Sequence, residues 1–120
     1  MGRSVAVRAA ALRGVEAIPV TVEVSPGGGV PGFIITGGND SPIFDAAVRV
    51  RCAMRECGFE IPQVRYTVNL APADMKKGGT AYDLAIAVAI LIASGQIPPR
   101  IADGAVFAGE LALNGCVEPV

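Results

Sequence analysis

From Asn69 to Leu91 the chain reads Asn-Leu-Ala-Pro-Ala-Asp-Met-Lys-Lys-Gly-Gly-Thr-Ala-Tyr-Asp-Leu-Ala-Ile-Ala-Val-Ala-Ile-Leu, an order of parts that few folds can hold. A strand end meets a Pro-Ala-Asp corner, a basic glycine loop follows, and a helix then begins whose Leu84 to Ala93 stretch is apolar all round. A helix with no polar face has to be buried on most of its sides. Thr80 is the expected N-cap, with Asp83 three residues on as an aspartate version of the capping box. Gly95 ends the helix, and Pro98-Pro99 prevents its continuation.

The remaining elements follow from periodicity. Val5 to Leu12 reads as a strand, and Ile18 to Ser25 as a second, with Val20, Val22 and Val24 facing one side and Thr21, Glu23 and Ser25 the other. The two are expected to pair as an antiparallel hairpin. Pro26-Gly-Gly-Gly-Val-Pro-Gly32 leads into Phe33-Ile-Ile-Thr36, so these glycines join strand to strand and read as a hairpin loop. A phosphate cradle would instead need a strand running into a helix. Ser41 and Pro42 open the first helix, whose apolar stripe is Ile43, Ala46, Ala47, Val50, Ala53, Met54 and Cys57, with Gly58 placed to cap it. Gln63 to Leu70 is a strand with Val64, Tyr66, Val68 and Leu70 on one face. Ala105 to Leu113 reads as the last strand, before Asn114-Gly115 turns the chain toward Val117. The order is β-β-β-α-β-α-β, an α/β sandwich with its helices on one sheet face, in one domain spanning residues 1–120.

Composition removes several chemistries. Apolar residues make up 52 % and charged residues 18 %, and the formal net charge is -1, so no global field draws the domain to a polyanion. There is no histidine, which excludes imidazole bases and His metal sites. Cys52, Cys57 and Cys116 show no Cys-x-x-Cys spacing and are expected to be buried small hydrophobes in a reducing cytosol. The first residues lack the apolar core of a signal peptide, and the longest apolar run is about half of what a bilayer requires. A soluble, cytoplasmic domain is expected.

With these residues placed, the chain resembles the N-terminal domain of the magnesium-chelatase-like AAA+ ATPases of the YifB/ComM competence family. The matching stretches are Pro19-Val-Thr-Val-Glu-Val24, Val30-Pro-Gly32, Arg49-Val-Arg51, Gly58-Phe-Glu-Ile-Pro62, Val68 to Asp74, Gly78-Gly-Thr-Ala-Tyr-Asp-Leu84 and Gly109-Glu-Leu-Ala-Leu113. The pairing of Asn69-Leu-Ala-Pro-Ala-Asp74 with Gly78-Gly79 and Tyr82-Asp83-Leu84 is the specific part. The resemblance marks Asn69, Pro72, Asp74, Gly78, Gly79, Thr80, Tyr82 and Asp83 as structural motif residues. It implies the ribosomal protein S5 domain 2-like fold, with a left-handed β-α-β crossover through the first helix, an exception to the usual hand. Where the family pattern has Gly-Leu-Pro and an acidic residue, this chain has Gly37-Gly-Asn-Asp40. No Gly-x-x-x-x-Gly-Lys-Ser/Thr motif occurs in these residues, so the ATP and Mg²⁺ that the resemblance implies are expected in an ATPase module beyond Val120.

The same fold serves the Lon-type peptidases, whose serine sits in the loop before the buried helix. Aligned forward from Gly78-Gly79, that position is Thr80; aligned back from Leu84-Ala85, it is Ala81. No lysine follows Lys77 to act as the base, and arginine cannot replace it. No catalytic, cofactor-binding or metal residue is therefore assigned, although Asp74 and Asp83 flank the glycine loop and present the carboxylate oxygens magnesium prefers.

Two basic groups remain as contact candidates, namely Arg49, Arg51 and Arg55 on the first helix, with Asp45 and Glu56 as compensating acids, and Lys76-Lys77 in the loop. They can meet DNA phosphates or acidic residues of the attached motor. Two Tyr, four Phe and no Trp leave few platforms for stacked bases. The expected function is a noncatalytic accessory domain of a hexameric AAA+ ATPase that processes DNA, docking on its own motor and sister subunits. Accessory work in a metal-chelatase complex, and a degenerate peptidase, are the alternatives.

Overall fold

Alternation along the central strands gives the sheet one apolar face, and two helices among the described residues cover it. The computed structural model describes residues 4–13, 16–36, 45–71 and 81–118. Its elements are β1 (Val5–Arg13), β2 (Glu16–Gly27), β3 (Gly32–Thr36), α1 (Ala46–Glu56), β4 (Arg65–Ala71), α2 (Asp83–Ala93), a 3-10 turn at Pro99–Ala102, β5 (Val106–Phe107), β6 (Glu110–Leu111) and β7 (Val117–Glu118). Five strands form a mixed sheet in the order β3-β4-β2-β1-β5, and β6 pairs with β7 separately. β1–β2 and β2–β4 are antiparallel, whereas β3–β4 and β1–β5 are parallel.

Register follows from which side chains must be dry. Val22, Val24, Val68 and Leu70 are wholly buried, as are Val20 and Tyr66 to within 2 %. Each such side chain contributes about 1.5–3 kcal/mol on burial. A one-residue slip of β2 would exchange its valines for Thr21, Glu23 and Ser25. Those three lie on the open face, where Thr36 Oγ1 donates to Asn69 Oδ1 (3.0 Å) and Asn69 Nδ2 donates to Glu23 Oε1 (3.2 Å). Asn69 thereby ties β3, β4 and β2 together.

α2 lies over β1 and β2 and against α1. Only Leu84 and Val88 of its residues are partly exposed, as its uniform apolarity requires. Both helices close in the same way. Gly58 has φ 85° and its N–H bonds Arg55 O, while Phe59 N–H bonds Met54 O; Gly95 has φ 81° and its N–H bonds Ile92 O, while Gln96 N–H bonds Leu91 O. These are two Schellman caps, each needing a left-handed residue where the sequence supplies glycine. Gln96 then accepts from Glu60 N–H (2.8 Å) and donates to Glu60 O (2.9 Å), locking the exit of α2 to the chain leaving α1.

Several expectations are corrected. The glycine segment does join two strands, but not as a hairpin: β4 lies between β2 and β3 and pairs with both. β4 carries Tyr66, Val68 and Leu70 into the core, so it takes the doubly paired position that best dries them. The single strand expected over Ala105 to Leu113 divides into β5 and β6, in different sheets. Gly109 breaks it by giving its N–H to Ala81 O and accepting from Leu84 N–H, both at 3.0 Å. Cys57 and Cys116 are exposed and Cys52 is half-buried, because Cys57 falls on the helix cap and Cys116 on the β6–β7 turn. The helix start at Ser41, Pro42 and Ile43 lies outside the described residues, as do Gly37 to Asp40. No helix among the described residues is long and apolar enough to cross a membrane.

Burial holds the Tyr66 phenol above its ordinary pKa. The neutral form is thus favoured in the fold, so this contribution is intact below about pH 10, where the unfolded phenol begins to ionise, and is lost as pH rises further. Urea unfolding at about pH 8 and pH 10.5 should show stability falling on the alkaline side, and Tyr66→Phe should remove part of that fall. An identical alkaline slope in the variant would contradict the assignment.

Candidate functional site

α1 carries three arginines, and helix geometry sends them to different places. Arg49 borders the stripe of Ala46, Val50, Ala53 and Met54 and reaches the first residue of α2. Its Nε donates to Asp83 Oδ2 at 2.6 Å and its Nη2 donates to Asp83 Oδ1 at 3.0 Å, a two-pronged ion pair. Leu111 N–H donates to the same Oδ2 at 3.1 Å. The Asp83 side chain is 1 % exposed and that of Arg49 is 16 %. The hydrogen bond to Asp83 chiefly raises the Arg49 pKa, burial opposes it, and the negative charges of Asp83, Glu110 and Asp45 add to the rise.

The expected capping box pairs Asp83 with Thr80, which lies outside the described residues; what the structure shows of Asp83 is the ion pair. Tyr82 occupies the N-cap position without a side-chain cap bond, and the Asp83 carboxylate turns to the guanidinium and to Leu111. The backbone bonds of Gly109 to Ala81 and Leu84 complete the junction, relieving one of the unpaired N–H groups that open every helix. Arg49-Val-Arg51, Tyr82-Asp83-Leu84 and Gly109-Glu-Leu111 thus meet at one point. A cation at Asp83 would face a guanidinium, which removes this carboxylate from the magnesium pair considered with Asp74. Asp74 itself, with Pro72, Lys76, Lys77, Gly78, Gly79 and Thr80, lies outside the described residues.

Arg51 and Arg55 point elsewhere. The Arg51 guanidinium sits 5.8 Å from the centre of the Phe33 ring. Both arginines line a recess of ≈ 300 Å³ with Pro31, Gly32, Phe33 and Gln63, between the start of β3 and the chain leaving α1. Like charges one turn apart destabilise a helix by about 0.2–0.5 kcal/mol. Among the described residues no acid forms an ion pair with either arginine. Asp45 adds its negative charge to the field at Arg49. Of the basic candidates among the described residues, Arg49 belongs to the buried junction and Arg51 and Arg55 to the recess.

Sequence reasoning missed the Arg49–Asp83 pair. The available signal was a carboxylate immediately ahead of an all-apolar helix, which has to be partnered if buried; nothing in the sequence tells which cation serves.

The comparisons with known proteins bear out the family resemblance. A family model described as subunit ChlI of Mg-chelatase matches residues 21–120. The Escherichia coli K12 protein YifB, uncharacterised, is 44 % identical over 107 residues, covering 89 % of this chain and 21 % of YifB. The competence protein ComM of Haemophilus influenzae is 44 % identical over 102 residues, covering 85 % of this chain and 20 % of ComM. An uncharacterised protein of Mycobacterium tuberculosis H37Rv is 36 % identical over all 120 residues, which is 23 % of its length. The chain spans about a fifth of the length of these relatives.

Breaking a buried ion pair from one side leaves a bare charge, a loss of roughly 3–5 kcal/mol. Arg49→Met and Asp83→Leu should each destabilise by about that amount in urea unfolding, and the double variant by at least about 1 kcal/mol less than the sum. Additive losses would mean that the two groups are not coupled.

Proposed function

The chain belongs to the family of subunit ChlI of Mg-chelatase, and from that premise we propose that it is a noncatalytic accessory domain of a larger AAA+ ATPase whose ATP hydrolysis drives DNA processing. The observation that carries the noncatalytic part is the state of Asp83. Among the described residues it is the ionisable side chain at the start of the buried helix, and its carboxylate is engaged by two guanidinium donors and one backbone N–H. A general base needs a lone pair directed at the proton it takes. Ala81, one of the two positions that align with the peptidase serine, has no nucleophile, and the sequence after Lys77 contains no lysine.

DNA as the substrate of the parent protein rests on the similarity to competence protein ComM. In this reading the ATP and Mg²⁺ sites belong to the remaining four-fifths of such a protein, which docks on this domain and on sister subunits. The junction ties α1, α2 and β6 together, an arrangement that suits a part fixing assembly without doing chemistry.

Incubating the chain with unfolded casein, and separately with a serine-reactive fluorophosphonate, tests the noncatalytic assignment. No turnover and no labelling are expected. Cleavage of casein, or a phosphonate adduct mapped to Thr80, would overturn it.

A further inference from the structure

We propose that the recess between α1 and the start of β3 is a phosphate-binding site formed by Arg51 and Arg55. This goes beyond the accessory-domain reading and does not depend on it. Four features of the recess point to an oxyanion. Two guanidinium groups one helical turn apart line the same cavity. Neither forms an ion pair with an acid among the described residues. Arg51 is steadied above the Phe33 ring, so one fork is oriented before any ligand arrives. Gln63, on the rim, adds an amide that can donate.

The ligand class follows from counting donors. A carboxylate offers two coplanar oxygens, an edge that a single arginine fork matches. A phosphate group offers more oxygens and can engage two forks at once. Paired arginines in a recess of ≈ 300 Å³ therefore fit phosphate better than the side chain of an acidic peptide. Bound phosphate also relieves the repulsion between the two arginines.

The surroundings favour an anion that extends past the recess. Gly32 pairs in the sheet with Arg65, whose side chain reaches back over Gly29 with its Cδ 3.3 Å from where a Cβ there would lie. A third guanidinium is thus held beside the exposed Gly28–Pro31 loop, at the same end of the sheet. Glu60, which lines the adjoining recess with Gln63, limits that extension on the far side.

The test uses the 120-residue chain with ¹⁵N labelling and follows the Nε–Hε signals of Arg49, Arg51 and Arg55. The probes are inorganic phosphate, an oligothymidylate of about a dozen nucleotides, and a poly-glutamate peptide of matched charge. Phosphate should shift Arg51 and Arg55 while Arg49 stays in place, and poly-glutamate should not shift them at the same concentration. Shifts with both phosphate and the oligonucleotide identify a nucleic-acid backbone as a source the site accepts; shifts with phosphate alone identify a small phosphorylated ligand. Both outcomes support the site. Arg51→Gln with Arg55→Gln, its fold checked by circular dichroism, should weaken binding at least about tenfold, and Arg51→Lys should recover part of that loss. The proposal is overturned if neither phosphate probe moves the two signals, if poly-glutamate moves them equally, or if the folded double variant binds unchanged.

Discussion

The fold depends on one buried carboxylate. Asp83 begins a helix that is otherwise apolar, so the packing that buries α2 takes the charge with it. An ion of that size loses several kcal/mol of hydration on leaving water, and attraction to a partner offsets this only when the geometry is close to ideal. Here the partners are the Arg49 fork and the Leu111 N–H, at 2.6 to 3.1 Å, while the helix N-terminus adds its own partial positive charge. The requirement fixes where α1 can lie on α2. It also explains why β6, a strand of two residues, is held in place at all.

The remaining arginines of α1 follow from the same placement. At 3.6 residues per turn, Arg51 is roughly 200° around the helix from Arg49, while Arg55 is only about 40° from Arg51. Once Arg49 is directed into the junction, the other two must share the opposite flank, where the start of β3 provides Phe33 beneath them. One helix thus holds a structural cation on one side and, on the other, a pair of cations without acidic partners among the described residues. The buried acid is occupied by its partners, and the arginine pair forms the proposed phosphate site.

Much of this was legible in the sequence. Alternation in Val20, Val22 and Val24 and in Tyr66, Val68 and Leu70 fixed the dry face, and Gly58 and Gly95 marked both helix ends correctly. The motif residues carry the family resemblance. What escaped was tertiary. The insertion of β4 between β2 and β3 leaves no local trace, because a loop of glycines fits a hairpin as well as a crossing connection. The break at Gly109 comes from backbone bonds to a helix 25 residues earlier. Asp83 satisfies a capping pattern locally, and its buried ion pair with Arg49 joins residues 34 apart, which no local pattern reveals. Cys57 fits the apolar period of α1 but falls one residue past its last turn.

Amide hydrogen exchange at Leu111 examines the buried junction most directly. If its N–H is held by Asp83 inside the core, it should exchange only through the global opening that frees the amides of β2 and β4, despite sitting in a two-residue strand near the surface. Exchange by a local opening, faster than those core amides by about a hundredfold or more, would mean that the carboxylate does not join α1, α2 and β6, and the account of this fold would have to be abandoned.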